Sequence, residues 1–299
     1  MAIRKNVNAL TSVEKQQFVQ AVLALKNNNR TGNIYNQYVR LHGQASNHYT
    51  PSGSTRTAAH GGPAFLAWHR EFLRRFELDL QTIVPGIAIP YWDWTADATL
   101  ANPRTAPVWA DDLMGGDGDA SDGSYAVKTG PFASGRWTVV YESGSPIRYP
   151  DGRFTGALKR QFGAGVATLP SQASVDAALN ASLHDTTPWD RLSSASSHRN
   201  QMEGNINAPQ LHNRVHRWIG QTMRLLTSPN DPVFFLHHSN IDRIWAQWQA
   251  RSLERGYVPV SNGPSGHNLN DPMFPWTTAP IDVLNHRALG YTYDTESIA

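Results

Sequence analysis

The sequence predicts a mainly α chain with long loops and a few short strands, folded as one domain over residues 1–299. Three observations lead there. Helix-opening residues stand directly before apolar runs of helical period. A stretch rich in Gly, Pro and Asp separates those runs. No repeat, low-complexity tract or linker divides the chain.

Thr11-Ser12-Val13-Glu14 reads as a capping box, and Phe18, Val22 and Leu25 continue it at helical spacing until Asn27 to Asn29 stop the helix. Ile34 to His42 predicts a second helix whose Tyr35, Tyr38, Val39 and His42 share one face, followed by a polar loop over 43–59. Pro63 fits the first turn of a long third helix that runs to about Ile83 and stops before Pro85-Gly86. Residues 84–170 lack helical period, and Trp137 to Tyr141 predicts a short strand there. Ser171 to Ser182 predicts a helix, and Arg199 to Asn207 stays open. Pro209 opens a helix that ends at Gly220, a C′ glycine. Asp231-Pro232 supplies an N-cap and an N1 proline for a helix reaching about Arg251.

Composition removes several function classes. The net charge is +2 with no dense basic block, which argues against nucleic acid and anionic membrane surfaces. No apolar run approaches a membrane span or a secretory signal, so the expectation is a cytoplasmic chain or one secreted by a route invisible here. Cysteine is absent, which excludes thiolate metal sites and cysteine nucleophiles. The 12 histidines stand out, and any transition-metal site here must be built from imidazole and carboxylate.

His212 and His216 are i,i+4 and flank the apolar stripe of Leu211, Val215, Trp218 and Ile219. Two imidazoles so spaced can chelate one ion, and they read equally well as core histidines bonded to backbone carbonyls. The zinc-peptidase helix H-E-x-x-H is excluded, because Asn213 stands where its Glu would be. His238 shares the core-facing stripe of Phe234, Ile241, Asp242 and Trp245, whereas His237 points about a quarter-turn away and reads as structural. In the N-terminal half, His69 lies mid-helix among Phe65, Leu66, Phe72, Leu73 and Phe76. His60 stands just before that helix and His42 ends the preceding one, with His48 the competitor for His42. His184, His198, His267 and His286 fall in irregular segments and read as surface or structural.

Two runs carry a family resemblance. His60-Gly-Gly-Pro-Ala-Phe65-Leu66-Ala-Trp68-His69-Arg70-Glu71-Phe72-Leu73, continuing to Glu77, resembles the first copper signature of tyrosinases. Asp231-Pro232-Val-Phe234-Phe235-Leu-His237-His238-Ser-Asn-Ile-Asp242 resembles the second. The likeness extends over nearly the whole chain and is greatest to short bacterial tyrosinases. It implies a four-helix bundle around a dinuclear copper centre. One copper falls to His42, His60 and His69, and the other to His212, His216 and His238. It implies O2-dependent ortho-hydroxylation of monophenols and oxidation of o-diphenols to o-quinones; catechol oxidase and o-aminophenol oxidase are the alternatives. Absence of cysteine excludes the thioether of the fungal and plant relatives. The C-terminal extension that covers the site in many relatives is not seen. The resemblance places Glu203 and Asn213 around a water as catalytic residues, although Glu203 alone reads as a helix cap or surface charge. Arg217, Met223, Leu226 and Phe234 are placed at the substrate, with Phe234 against a ligand ring. Small phenols and O2 are the expected partners, with a copper-delivery helper protein and a homodimer also open.

Overall fold

The computed structural model describes residues 1–27, 33–140, 155–192, 197–204, 210–251 and 256–296. Eight α-helices occur among them: α1 Ser12–Asn27, α2 Ile34–Asn47, α3 Phe65–Ile83, α4 Trp94–Asp97, α5 Gln172–Asn180, α6 His198–Glu203, α7 Leu211–Ile219 and α8 Val233–Ala250. The strands are short: β1 Ala2–Arg4, β2 Gly118–Asp119, β3 Ala126–Val127, β4 Val139–Val140, β5 Thr155–Gly156 and β6 Tyr291–Tyr293. No described helix is long and apolar enough to cross a membrane.

The capping box forms as expected. Glu14 Oε2 accepts from the Thr11 amide at 2.8 Å, and Thr11 Oγ1 accepts from the Glu14 amide at 3.2 Å. α2 runs past His42 to Asn47, where the sequence suggested a loop. Gly43, Ala45 and Ser46 are buried there, and Asn47 Nδ2 donates back to the Gly43 carbonyl at 3.1 Å. A last turn made of small residues packs tightly without an apolar pattern to announce it. α3 starts at Phe65, so Pro63 precedes the helix and lies outside its first turn. Of the expected strand over 137–141, only Val139–Val140 pairs, antiparallel with Thr155–Gly156; Tyr141 lies outside the described residues. Trp137 turns into the core and donates its indole N–H to the Asn230 carbonyl at 2.9 Å. The segment left open around Arg199 contains α6, capped by Ser197, whose Oγ accepts from the Asn200 amide. Residues 205–209, including Pro209, and the expected helix stop at 28–29 lie outside the described residues.

α3 packs against α8, α1 against α2 and α3, and α7 against α6 and α8. Aromatic side chains fill the seams. Phe76 of α3 stacks on Phe235 of α8 at 3.6 Å, and Tyr35 and Tyr38 of α2 meet Phe76 edge-on at 5.8 and 5.2 Å. Each such pair adds about 1 kcal/mol beyond its buried area.

Two buried ion clusters hold the bundle from outside. Asp242 of α8 receives Arg70 of α3 at 2.5 Å and Arg4 of β1 at 3.1 Å, together with the Tyr291 and Tyr293 hydroxyls of β6. Arg4 also pairs with Glu77 of α3 at 2.9 Å and lies over the Tyr291 ring. β1 and β6 pair in parallel, with Arg4 opposite Tyr293. In the second cluster Arg160 grips Asp231 through two nitrogens, each at 2.8 Å, and donates to the carbonyls of Met114, Gly115 and Gly116. Asp231 Oδ1 also accepts from the Val233 amide, so the irregular belt is fastened at the start of α8.

Candidate metal centre

Two groups of histidines meet in the middle of the bundle. His42 of α2, His60 from the turn before α3, and His69 of α3 bring one ring nitrogen each within 4.8 Å of one another. His212 and His216 of α7 and His237 and His238 of α8 do the same. His69 and His238 stack at 4.3 Å between centroids and 16° between planes, so the groups abut across the α3–α8 seam.

The outward nitrogens are held on five of the rings, while Nδ1 of His238 is buried with no hydrogen-bond partner among the described residues. His69 Nδ1 donates to the Phe65 carbonyl at 2.8 Å, His42 Nδ1 to the Leu226 carbonyl at 2.6 Å, and His216 Nδ1 to the Met223 carbonyl at 2.5 Å. His212 Nδ1 donates to Asn213 Oδ1 at 2.9 Å, and His60 Nδ1 is hydrogen-bonded with Ser46 Oγ at 3.2 Å. A carbonyl acceptor on Nδ1 fixes the tautomer and leaves the Nε2 lone pair facing inward. The buried Nε2 atoms of His42, His69 and His212 meet no partner among the described residues, and the Nε2 atoms of His216 and His238 approach to 3.4 Å. So many desolvated lone pairs converging on one space are unfavourable without a cation.

Burial keeps these rings neutral. It pushes His42 down to about 3, with the Leu226 carbonyl opposing, and His216 down to about 4. His60, His69, His212, His237 and His238 are lowered well below their ordinary 6.5, again chiefly by burial and then by neighbouring imidazoles. An unfolded histidine takes up its proton near 6.5 while the folded one refuses it, so each contributes stability that is lost as pH falls below 6.5. At pH 5 the loss is about 2 kcal/mol for each fully protected ring. The melting temperature of metal-free protein should therefore fall steeply from about pH 7 to about pH 5. A flat profile over that span would show that the rings are not held neutral.

A cavity of about 680 Å³ opens above the histidines, and His42, His60, His212 and His216 form its floor. Glu203 and Asn213 line it. Glu203 Oε1 accepts from the Gly61 amide at 2.7 Å, and Oε2 from Arg199 at 3.3 Å. Burial pushes the Glu203 carboxyl up, against the pull of Arg199 and the Gly61 amide. Arg199 is itself clamped by Asp185 at 2.8 and 3.0 Å. Asn213 Nδ2 donates to the carbonyl of Gly204, the residue after Glu203, so the two polar groups are joined through one short turn.

Arg217, Met223 and Leu226 line the cavity, Met223 with a fully buried side chain. Phe234, expected at the substrate, does not line it. It is buried under the histidines, stacked on His238 at 4.0 Å and edge-on to His42 at 5.0 Å, because its position on α8 faces the bundle axis. His237, expected to point away, instead joins its group and stacks on His212 at 5.3 Å and 19°. A quarter-turn on α8 is not enough to leave a site with α7 on one side and α3 on the other. His48 is exposed, stacked on Phe274, and outside both groups. His184, His198 and His267 are buried structural residues bonded to Val258, Ala178 and Thr50, and His286 pairs with Glu296. The carbonyls of Met223 and Leu226, Ser46 and Arg199 were not found from sequence; backbone acceptors have no side-chain signature.

Neutral imidazoles without thiolates, in two abutting groups under an open cavity, define a protein built to hold a pair of transition-metal ions. Residues 32–251 match the common central domain of tyrosinase. The chain is 42% identical to a tyrosinase of Streptomyces glaucescens, over 99% of this chain and 100% of the relative. It is 38% identical to grixazone synthase of Streptomyces griseus, over 98% and 99%. A functional unit of octopus hemocyanin shares the fold, with a TM-score of 0.60 and 23% identity over 99% of this chain and 68% of that one. The chain belongs to the tyrosinase family.

Proposed function

We propose that His42, His60 and His69 hold one copper ion and His212, His216 and His238 the other, and that phenols reach them through the cavity. The observation that carries this reading is the convergence of inward-facing Nε2 atoms from both histidine groups beneath one opening. When bound, copper supplies the O2 chemistry by which monophenols are hydroxylated at the ortho position and o-diphenols become o-quinones. The protein's own residues position the phenol and move its proton. Phe234 buttresses the rings of His238 and His42 from below. Arg217, Met223 and Leu226 shape the opening.

A free phenol has a pKa of about 10, so a monophenol needs a base on its way to the metal at neutral pH. Glu203 is the one carboxylate lining the cavity among the described residues, and with Asn213 it brackets the space for a water. Glu203→Gln, or Asn213→Asp, is expected to lower monophenol turnover roughly a hundredfold while changing diphenol turnover far less. Copper content should stay near that of the parent, because neither is a ligand. Initial rates with both substrates on the same copper-loaded samples read this; a common fall in both rates removes the base assignment. The function itself is tested by turnover of a monophenol, a catechol and an o-aminophenol on protein of known copper content. Activity on the aminophenol alone would favour the o-aminophenol oxidase alternative. Copper delivery by a helper protein and association into a homodimer extend the proposal; loading with free copper and mass in solution test them.

A further inference from the structure

The cavity above the histidines is asymmetric in charge. Arg191, Arg217 and Arg224 line it, and Glu203 is the one acid among the described lining residues. Glu203 lies 3% exposed in the wall, where Arg199 already faces it. Its charge is answered first by Arg199 and the Gly61 amide and only then by Arg191, so it offsets the rim in part and leaves Arg217 and Arg224 unanswered.

The three rim arginines are exposed, and none has a hydrogen-bond or ion-pair partner among the described residues. They come from three separate segments. Arg191 leans on the turn that carries His60. A Cβ at Gly61, where φ is +74°, would meet the Thr55 carbonyl at 2.9 Å and Arg191 Nε at 3.3 Å. Arg217 follows His216 on α7. Arg224 follows Met223, whose carbonyl holds His216. The acid next to Arg191 in sequence, Asp190, faces Arg56 at 3.9 Å. Three like charges gathered at one mouth against a single acid that Arg199 already pairs repel one another, and they form a field that draws in anions. A guanidinium fork also matches a carboxylate through paired N–H groups.

We propose that Arg191 and Arg224, together with Arg217, select phenols bearing a carboxylate over neutral phenols and over phenols bearing an amine. The inference rests on the phenol-oxidase reading and names its substrate class. The ring enters toward the histidines while the carboxylate stays at the rim among the arginines. No covalent step is added; the rim acts on capture and orientation.

The test uses copper-loaded full chain and three catechols that differ mainly in side-chain charge: dihydrocaffeate, methylcatechol and dopamine. The expected order of kcat/KM is dihydrocaffeate, methylcatechol, dopamine, with about tenfold or more between the first and last. The spread should collapse in about 1 M salt, where the screening length is about 3 Å. In Arg191→Gln/Arg224→Gln the dihydrocaffeate-to-dopamine ratio should fall toward parity, through KM more than kcat. Benzoate should likewise lose its advantage over benzylamine as a competitive inhibitor. If methylcatechol is not oxidised by protein carrying two coppers, the underlying phenol-oxidase reading fails. If methylcatechol is oxidised but the charge series is flat, or its spread ignores salt and both substitutions, the rim proposal alone is overturned. Both positions are exposed, and the salt series on the parent protein keeps the test decisive should the variant not fold.

Discussion

His238→Ala is expected to yield a folded protein that binds one copper where the parent binds two, with oxidase activity at background. The His238 ring is 1% exposed, clasped between Phe234 at 4.0 Å and His69 at 4.3 Å, with Nε2 turned to His216 Nε2. Alanine removes a donor from the second group and the stacking partner of a donor in the first. On the proposed ligand set only the nitrogens of His212 and His216 remain, and two imidazoles chelate too weakly to compete with buffer and water. His237→Ala provides the contrast. That ring stacks on His212 within the same group, so its loss leaves a cavity, costing about 2–4 kcal/mol as other large-to-small core changes do. Copper per chain should nevertheless stay at two. Metal analysis and thermal melting on both variants decide the matter. Equal copper loss from the two would assign ligation to His237 as much as to His238.

Asp242→Ala should be strongly destabilising. Burial alone would raise this carboxyl, but Arg70 and Arg4 hold it down at about 2. Removing it leaves the fully buried Arg70 guanidinium without a carboxylate, Arg4 with Glu77 alone, and the Tyr291 hydroxyl without its acceptor. Breaking a buried pair from one side costs about 3–5 kcal/mol, a large share of the roughly 5–15 kcal/mol that holds a typical domain folded. The melting temperature should drop by about 10 °C or more. A loss under about 1 kcal/mol would mean that water reaches the stranded arginines. In the parent, the stabilisation is present above the ordinary 3.8 and is lost as pH falls from there toward 2.

Much of the fold is legible because helical period marks α1, α3, α7 and α8, with the capping box formed at α1 and Gly220 ending α7. The expected starts shift, since α8 begins at Val233 with Pro232 as its N-cap, one residue later than Asp231-Pro232 suggested. The last turn of α2 is not, because Gly43, Ala45 and Ser46 bury without apolar bulk. Most of the histidine arrangement is legible because i,i+4 spacing on α7 and the apolar stripes of α3 and α8 indicate which rings turn inward. Helical facing did not place His237, since α7 and α3 both close on that side of α8. The carbonyls of Met223 and Leu226 are invisible in sequence for a different reason: any residue could supply them, and only the path of the loop brings them to His216 and His42. Arg4, Arg70 and Asp242 carry no local signal, because their pairing spans 238 and 172 positions.

The pairing of β1 with β6 has a consequence for biogenesis. Arg4 and Tyr293 are 289 positions apart, yet both close on the Asp242 carboxylate between α3 and α8. On a translating ribosome, every histidine of both groups has been synthesised well before β6 exists. Contacts of such long range are slow to form and are made late. Nascent chains thus carry both histidine groups while the clasp that fixes α3 against α8 is still missing. The final tightening of the scaffold waits on the synthesis of a three-residue strand.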